Sequence, residues 1–262
     1  NDGKNWQPLK LNLPIVPITD LAIKNNNLIV ATQGRSLWIL DDLTVLHQAQ
    51  AADPDQPFLF APLTSYRMGG AGGAASLTVG QNHPGGVNVY FSIPEIEDSS
   101  QNISLVFLEE DGTEIRRFST QAKDKKDKLK DIHSGLNRFN WNMRYASATR
   151  VKGMILWWAQ LDGPKALPGN YQVRMEVGDV EQTKSFEIKP DPRSSATLED
   201  MQAQFDFLMA SRDKLTAAHD AIVAMRELKK QLGEWKTRAA EDTSNTEIVE
   251  MATTMIEQLN TM

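Results

Sequence analysis

The spacing of the apolar residues changes once along this chain, at Pro190-Asp191-Pro192-Arg193. Before this point, short stretches alternate apolar and polar residues between turn residues, which is the pattern of half-buried β-strands. After it, apolar residues recur at steps of three and four, which places them on one side of an α-helix. The chain is therefore expected to be mainly β, with helices in its C-terminal part.

A long amphipathic helix is predicted directly after this change of spacing. Thr197 is a suitable N-cap, and Asp200 three residues later completes a capping box with Asp in place of Glu. The apolar stripe of this helix consists of Met201, Phe205, Leu208, Leu215, Ala218, Ile222, Met225, Leu228, Leu232 and Trp235. It spans about 35 residues, or roughly 50 Å at 1.5 Å per residue. A turn at 241–245 and a second amphipathic helix at 246–259 would form an antiparallel hairpin, with the stripe buried against itself or a partner.

The region before the helices, residues 57–193, contains seven or eight short strand patterns. Asp111-Gly112 and Gly178-Asp179 are strong hairpin signals between neighbouring strands. Short strands with frequent turns favour an immunoglobulin-like or fibronectin-like β-sandwich. The glycine-rich stretch 69–73 lacks the Lys-Ser/Thr of a phosphate-binding loop, so a connector is expected there.

The first region, residues 1–47, is expected to be a separate β element, joined to the sandwich by a polar linker at 48–56. Its strands form a three-stranded meander and are predicted at 18–24, 28–32 and 37–40. The predicted domains are 1–47, 48–193 and 194–262.

Two motifs connect this first region with a known family. Three residues occupy the Asp, Gly and Trp positions of an Asp-box turn, Ser-x-Asp-x-Gly-x-x-Trp, and these are Asn1, Gly3 and Trp6. Residues 31–42 closely resemble the Ala-Thr-His-Gly-Arg-Gly-Phe-Trp-Ile-Leu-Asp-Asp stretch in the final blade of sortilin-like, BNR-repeat β-propellers. Gln33 and Ser36 replace the family's His and Gly, which puts any role of that His in doubt here. Bacterial members of this family are often labelled glycosyl hydrolases.

The resemblance covers nearly the whole chain. Residues 135–145 resemble the family's β domain after the propeller, and 190–235 resemble its C-terminal region. It implies that residues 1–47 are the tail of an Asp-box β-propeller, an incomplete blade with a bare edge. The partner implied for this edge is the upstream propeller of the same protein. The resemblance also implies an extracytoplasmic bacterial protein, either periplasmic or secreted.

The composition excludes several kinds of partner and site. The formal net charge of −6 argues against a nucleic-acid or anionic-membrane surface, because both require a clustered excess of Lys and Arg. The dense cationic stretch 123–131 is interleaved with Asp and is expected to be a solvated loop. The chain has no cysteine, so disulfides and thiolate metal sites are excluded. No run of about 18 apolar residues is present, so no membrane span is expected.

Few residues could carry chemistry. The four histidines lack ligand spacing, so neither a metal nor a cofactor is expected, and His219 beside the helical stripe is interpreted as a hydrogen-bonded structural residue. Glycoside hydrolysis needs two carboxyl groups across a cleft. The candidate carboxylates lie at a strand end or a hairpin tip and are Asp41, Asp42, Glu109, Glu110 and Asp111. No catalytic residue is therefore predicted in this chain.

Binding is more plausible at the adjacent tryptophans Trp157 and Trp158, within the apolar stretch 155–158. Paired tryptophans on a loop can stack on sugar rings or anchor a protein partner, and they can also cover the sandwich core, the helices or the propeller. Our first hypothesis is a non-catalytic scaffold or interaction module that presents these residues or the helical face to a protein. The second is an accessory carbohydrate-binding part of a polysaccharide-degrading enzyme.

Overall fold

The computed structural model shows a mixed α and β protein with three β-sheets and a C-terminal pair of helices. The residues that the structure describes are 3–4, 6–68, 84–94, 101–158 and 160–261, apart from the side chain of Thr243. Three predicted features lie outside the described residues, namely Asn1 of the Asp-box motif, the glycine-rich stretch 69–73 and His83.

The chain forms two compact units. The first contains Asn1–Met143 and Pro168–Ser194, and the second contains Arg144–Leu167 and Ser195–Met262. The segment 144–167 thus interrupts the β part in sequence but belongs to the helical unit. The division into three domains expected from the sequence stays a prediction.

The first sheet is the predicted three-stranded meander, with strands β1 (Ile18–Lys24), β2 (Asn27–Thr32) and β3 (Leu37–Leu40) in that order. Asn25 and Asn26 form the β1–β2 turn with φ of 51° and 61°. Asn tolerates this left-handed conformation better than most residues, which explains the position of the turn. All seven residues of β1 are exposed, so the sheet has an open edge.

A short helix follows the meander where the sequence indicated none. Helix α1 (Thr44–Gln48) continues into a 3-10 turn at Ala49–Ala51, inside the predicted linker 48–56. Asp42 stabilises the start of this helix, because its carboxylate accepts a hydrogen bond from the Thr44 amide at 2.9 Å. The sequence did not indicate this helix, because so short a stretch has no apolar periodicity.

Eight short strands form the other two sheets of the first unit. They are β4 (Phe58–Leu59), β5 (Ser65–Tyr66), β6 (Val87–Ile93), β7 (Ile103–Glu109), β8 (Glu114–Ser119), β9 (Gly135–Trp141), β10 (Gly169–Val177) and β11 (Val180–Lys189). One sheet has the order β5-β11-β10-β7-β8 and the other has the order β4-β6-β9. The predicted hairpins at Asp111-Gly112 and Gly178-Asp179 are confirmed as the β7–β8 and β10–β11 connections.

An aromatic core joins these two sheets. Trp141 of β9 is fully buried, and its indole stacks on the ring of Phe107 from β7 with centroids 4.3 Å apart. Tyr171 and Phe186 approach the same indole at centroid distances of 6.4 Å and 6.3 Å. Trp141 is therefore the side chain around which the two sheets pack.

The C-terminal helices match the predicted hairpin. Helix α2 (Leu198–Ala239) has 42 residues, and helix α3 (Thr246–Thr261) follows a 3-10 turn at Thr243–Asn245. The two helices pack against each other, and Lys229 donates a hydrogen bond to the Asn260 side chain at 2.5 Å. Among the described helices, none combines the length and the apolar composition that crossing a bilayer requires.

The predicted capping box is present at the start of α2. The Asp200 amide donates to the Thr197 hydroxyl at 3.1 Å, and the Thr197 amide donates to the Asp200 carboxylate at 2.9 Å. These hydrogen bonds, first from the Thr197 side chain and then from its backbone, lower the pKa of Asp200 below its ordinary value of 3.8.

Acid is expected to fray the start of α2. Because the pKa of Asp200 is lowered in the folded state, its stabilisation is complete above pH 3.8 and is lost as the pH falls through the folded-state pKa. The protection factors of the amides in residues 198–201, which compare each exchange rate with the intrinsic rate at the same pH, should therefore fall in acid. Asp200→Asn should have lower protection factors at neutral pH and a smaller further decrease in acid. Equal pH dependence in the two proteins would contradict this role.

Candidate interaction site

The tryptophan pair lies at the tip of a long hairpin-like segment of the second unit, residues 144–165, which we call the arm. Its two limbs run antiparallel. The Tyr145 amide donates to the Pro164 carbonyl at 3.0 Å, and the Ala148 amide donates to the Leu161 carbonyl at 2.8 Å. The described residues of the arm contain no continuous strand, and an isolated β-bridge between Arg144 and Lys165 also joins the two limbs at the base.

Glycine is required at one position of the arm base. A Cβ atom on Gly163 would lie 2.5 Å from the carbonyl oxygen of Ala146 and 2.6 Å from that of Tyr145. Real Cβ atoms essentially never approach backbone oxygens this closely. Gly163 therefore allows the two limbs to approach, and any larger residue would force them apart.

Helix α2 holds the first limb of the arm through three side chains spaced seven residues apart. Each donates a hydrogen bond to a backbone carbonyl of the arm, Arg212 to Ala146 at 3.2 Å, His219 Nδ1 to Thr149 at 2.5 Å and Arg226 to Lys152 at 2.8 Å. Seven residues of helix rise about 10.5 Å, and three residues of extended chain span about 10 Å. The two spacings match, so one face of α2 can bind every third carbonyl of the limb.

The side chains of this limb follow the same period of three. Tyr145, Ala148 and Val151 are buried, and the Tyr145 ring packs edge-on against Phe205 with centroids 5.0 Å apart. A period of three residues is that of a polyproline II segment, which has no internal hydrogen bonds and needs partners for its backbone. The three donors of α2 supply these partners. The structural, hydrogen-bonded role predicted for His219 is confirmed.

The tip of the arm projects large apolar side chains into solvent. Ile155 and Trp157 are each 82% exposed, and Trp158 is 99% exposed. Trp158 has a φ of 58°, a left-handed conformation that is uncommon for a bulky residue. Buried apolar side chains stabilise a fold, whereas these three side chains are mostly exposed and contribute little to it.

The surroundings of the tip are positively charged, although the whole chain is acidic. No Asp or Glu occurs between residues 132 and 161, and Arg150 and Lys152 lie just before the tip and are exposed. The net charge of the chain is −6. The tip therefore combines an apolar surface with flanking cations, a combination that suits an apolar pocket with an acidic border.

The described residues of the Asp-box motif belong to the first unit. Gly3 has a φ of 78°, and the Trp6 indole donates to the Gly3 carbonyl at 2.8 Å while the ring stays 87% exposed. Trp38 makes the same bond to the carbonyl three residues before it, that of Arg35, at 2.8 Å. The described residues therefore include two turns in which a Trp indole donates to the carbonyl three residues before it.

Two of the candidate carboxylates bond to backbone amides. Asp42 is buried and holds the start of α1, while Asp111 lies in the exposed β7–β8 turn and accepts from the Thr113 amide at 2.9 Å. The hydrogen bonds from Thr113 lower the pKa of Asp111, whereas a general acid in glycoside hydrolysis needs a raised pKa. Among the residues that the structure describes, no three His, Asp or Glu side chains form a group that could hold a metal ion.

Comparison of the chain with protein-family models, with curated proteins and with solved structures found no match. The function therefore has to be inferred from the chemistry of the arm and from the open sheet.

Proposed function

We propose that this chain is a non-catalytic interaction module that presents the arm tip to a protein partner. The observation that carries the proposal is the nearly complete exposure of Ile155, Trp157 and Trp158. Tryptophan is strongly enriched among the residues that dominate binding energy at protein interfaces. An aliphatic residue beside two indoles gives the tip the composition of an anchor that fills an apolar pocket.

The attachment of the arm to α2 favours binding by reducing its entropic cost. The limb is bonded to α2 at Ala146, Thr149 and Lys152, so its backbone is ordered before any partner arrives. Ordering a flexible loop on binding would offset part of the contact energy, and a preformed loop avoids this loss. Arg226 is the donor closest to the tip, because the Lys152 carbonyl that it binds is the nearest of the three carbonyls to the tip in sequence.

The wider setting of the module rests on the family resemblance. We place it at the C-terminal end of an extracytoplasmic BNR-repeat propeller protein, with β1 to β3 as the tail of the last blade. Two observations support an upstream blade that packs against this sheet. Its edge at β1 is open, and four of its apolar residues are exposed, namely Leu21, Ile23, Leu37 and Ile39.

Carbohydrate binding is the second candidate, and the exposure of two adjacent indoles favours it. Aromatic faces can stack on the apolar faces of sugar rings, and an accessory domain of a glycoside hydrolase would use them in this way. Stacking needs the indoles of Trp157 and Trp158 but not the side chain of Ile155. The effect of removing Ile155 therefore separates the two candidates.

Substitutions at the tip are expected to abolish binding without unfolding the chain. Trp157→Ala and Trp158→Ala should each weaken the affinity for the partner at least ten-fold, since fully buried interface tryptophans carry about 2 kcal/mol or more. The measurement is photo-crosslinking from position 160, an exposed residue beside the tip, in the cells that make the protein, followed by affinity measurement with the captured protein. Trp6→Ala, at an exposed tryptophan elsewhere, is the matched control.

A glycan-binding screen of the same variants decides between the candidates. Binding of a protein partner that is lost in both tryptophan variants and in Ile155→Ala supports the protein-interaction function. Saturable glycan binding that is lost in the tryptophan variants but kept in Ile155→Ala and Trp6→Ala supports the second. If crosslinks from position 160 were no more frequent than those from position 223, and no glycan bound, the tip would be ruled out as an interaction site.

A further inference from the structure

A second apolar surface lies on the helix pair and is independent of the arm. The large apolar residues of the pair that are between 40% and 59% exposed include Leu228 and Trp235 on α2 and Ile248, Met251 and Met255 on α3. Their spacings of three, four and seven residues place each set in one row along its helix. We call these two rows the hairpin face.

Both rows lie on the same side of the helix pair. The less exposed side of each helix marks the seam between them, with half-buried Leu232 on α2 and with buried Ala252 and half-buried Ile256 on α3. At 100° per residue, each exposed row is displaced from its seam by roughly 60–100° in the same rotational sense. Because the two helices are antiparallel, a displacement in the same rotational sense about each helix axis places both rows on the same side of the pair. The hairpin face is therefore a single surface about two helices wide.

The charges of the two helices complement each other between copies. In residues 226–238 of α2, five Lys and Arg and two Glu give 5 − 2 = +3. In α3, three Glu and no Lys or Arg give 0 − 3 = −3. On the helical wheels, Arg238 borders the hairpin face on α2 and Glu247 borders it on α3. The Arg238 guanidinium also covers the Trp235 ring at 4.4 Å.

We propose that the hairpin face binds the same face of a second copy of this chain. Two such faces related by a two-fold axis along the helices place α2 of each copy on α3 of the other. This arrangement is an antiparallel four-helix bundle, in which the exposed apolar rows become its core. It brings the positive border of α2 opposite the negative border of α3 on both sides of the interface.

The size of the face predicts a reversible dimer. Helix α3 is about 24 Å long and two helices are about 20 Å wide, so each face covers on the order of 500 Å² in projection. Stable interfaces bury about 800 Å² of accessible surface on each partner. The projected area of the hairpin face is smaller than this value. Association should therefore depend on protein concentration over the micromolar range.

Sedimentation of the full chain tests the proposal. The wild type is expected to shift from a mass of 29.3 kDa towards twice that value as its concentration rises from about 1 to 100 μM. Trp235→Glu and Met251→Glu should each raise the dissociation constant at least ten-fold. Val223→Glu is the matched control, because Val223 is 45% exposed on α2 but lies on the side away from the hairpin face. Circular dichroism verifies that each variant retains its helices.

A charge exchange provides a second test that does not depend on apolar substitutions. Arg238→Glu and Glu247→Arg should each weaken the dimer several-fold, and the double variant should recover most of the loss. A wild type that stays monomeric at every concentration would overturn the proposal. So would a dimer that withstands the hairpin-face variants and is instead lost in Ala22→Pro, because that result would place the contact at the open β1 edge. Equal weakening by Val223→Glu would overturn it as well.

Discussion

Replacing Trp141 with alanine is expected to destabilise the first unit by about 3–5 kcal/mol, the usual cost of removing a large aromatic side chain from a core. The indole is completely buried and stacks on Phe107 at 4.3 Å, with Tyr171 and Phe186 near its edges. These four residues come from both sheets of the unit, so the cavity would separate the two layers. Urea unfolding followed by circular dichroism measures the loss.

A matched control comes from the same strand. Leu136 is also on β9 but is 47% exposed, so Leu136→Ala should cost less than about 1 kcal/mol. If the two variants were equally stable, the stack of Trp141 on Phe107 could not be what joins the sheets. A loss in Trp141→Ala with a small loss in Leu136→Ala is the result expected from the structure.

Replacing Gly163 with alanine is expected to open the base of the arm. The added methyl group would lie 2.5–2.6 Å from two backbone oxygens of the opposite limb, those of Ala146 and Tyr145. Backbone cannot move aside as a side-chain end can, so the limbs must separate. Overpacking of this kind costs typically about 1–3 kcal/mol. The Tyr145 and Ala148 amides, which now bond across the arm, should exchange with solvent at least ten-fold faster.

Gly233→Ala is the control with the opposite sign. Gly233 lies inside α2, and a Cβ atom there would meet nothing within 4 Å. Alanine restricts the unfolded chain and favours helix, so this change should stabilise α2 by about 0.5–1 kcal/mol. The expected contrast is one glycine whose replacement harms the fold and one whose replacement helps it. If Gly163→Ala left the exchange of both amides unchanged, the close approach of the limbs would be disproved.

Features of the fold that depend on local chemistry were predicted correctly from the sequence. The capping box of Thr197 and Asp200 begins α2, and Asp111-Gly112 turns β7 into β8. Asn25 and Asn26 place the first turn of the meander. In each case the side chain or backbone preference that decides the structure lies within four residues of the feature it controls.

The site was only partly predictable. The apolar content of residues 155–158 singled out Trp157 and Trp158, but the sequence left open whether they cover a core or face solvent. The exposure of a side chain depends on the residues packed around it, and at the tip of the arm Trp157 and Trp158 are mostly exposed. The spacing of seven residues between Arg212, His219 and Arg226 was a usable signal for a contact on α2. It did not indicate which part of the chain accepts those bonds.

The sequence by itself determined the three-stranded meander, the hairpin turns and the two C-terminal helices, because the period of the apolar residues and the chemistry of the turns act over a few residues. Only the tertiary structure decided the course of the arm. The apolar residues of its first limb recur with neither the period of a strand nor that of a helix. The carbonyls of this limb accept hydrogen bonds from side chains that follow 66 to 74 residues later. Backbone groups without local partners must find distant ones, and no local pattern records which distant side chains these are.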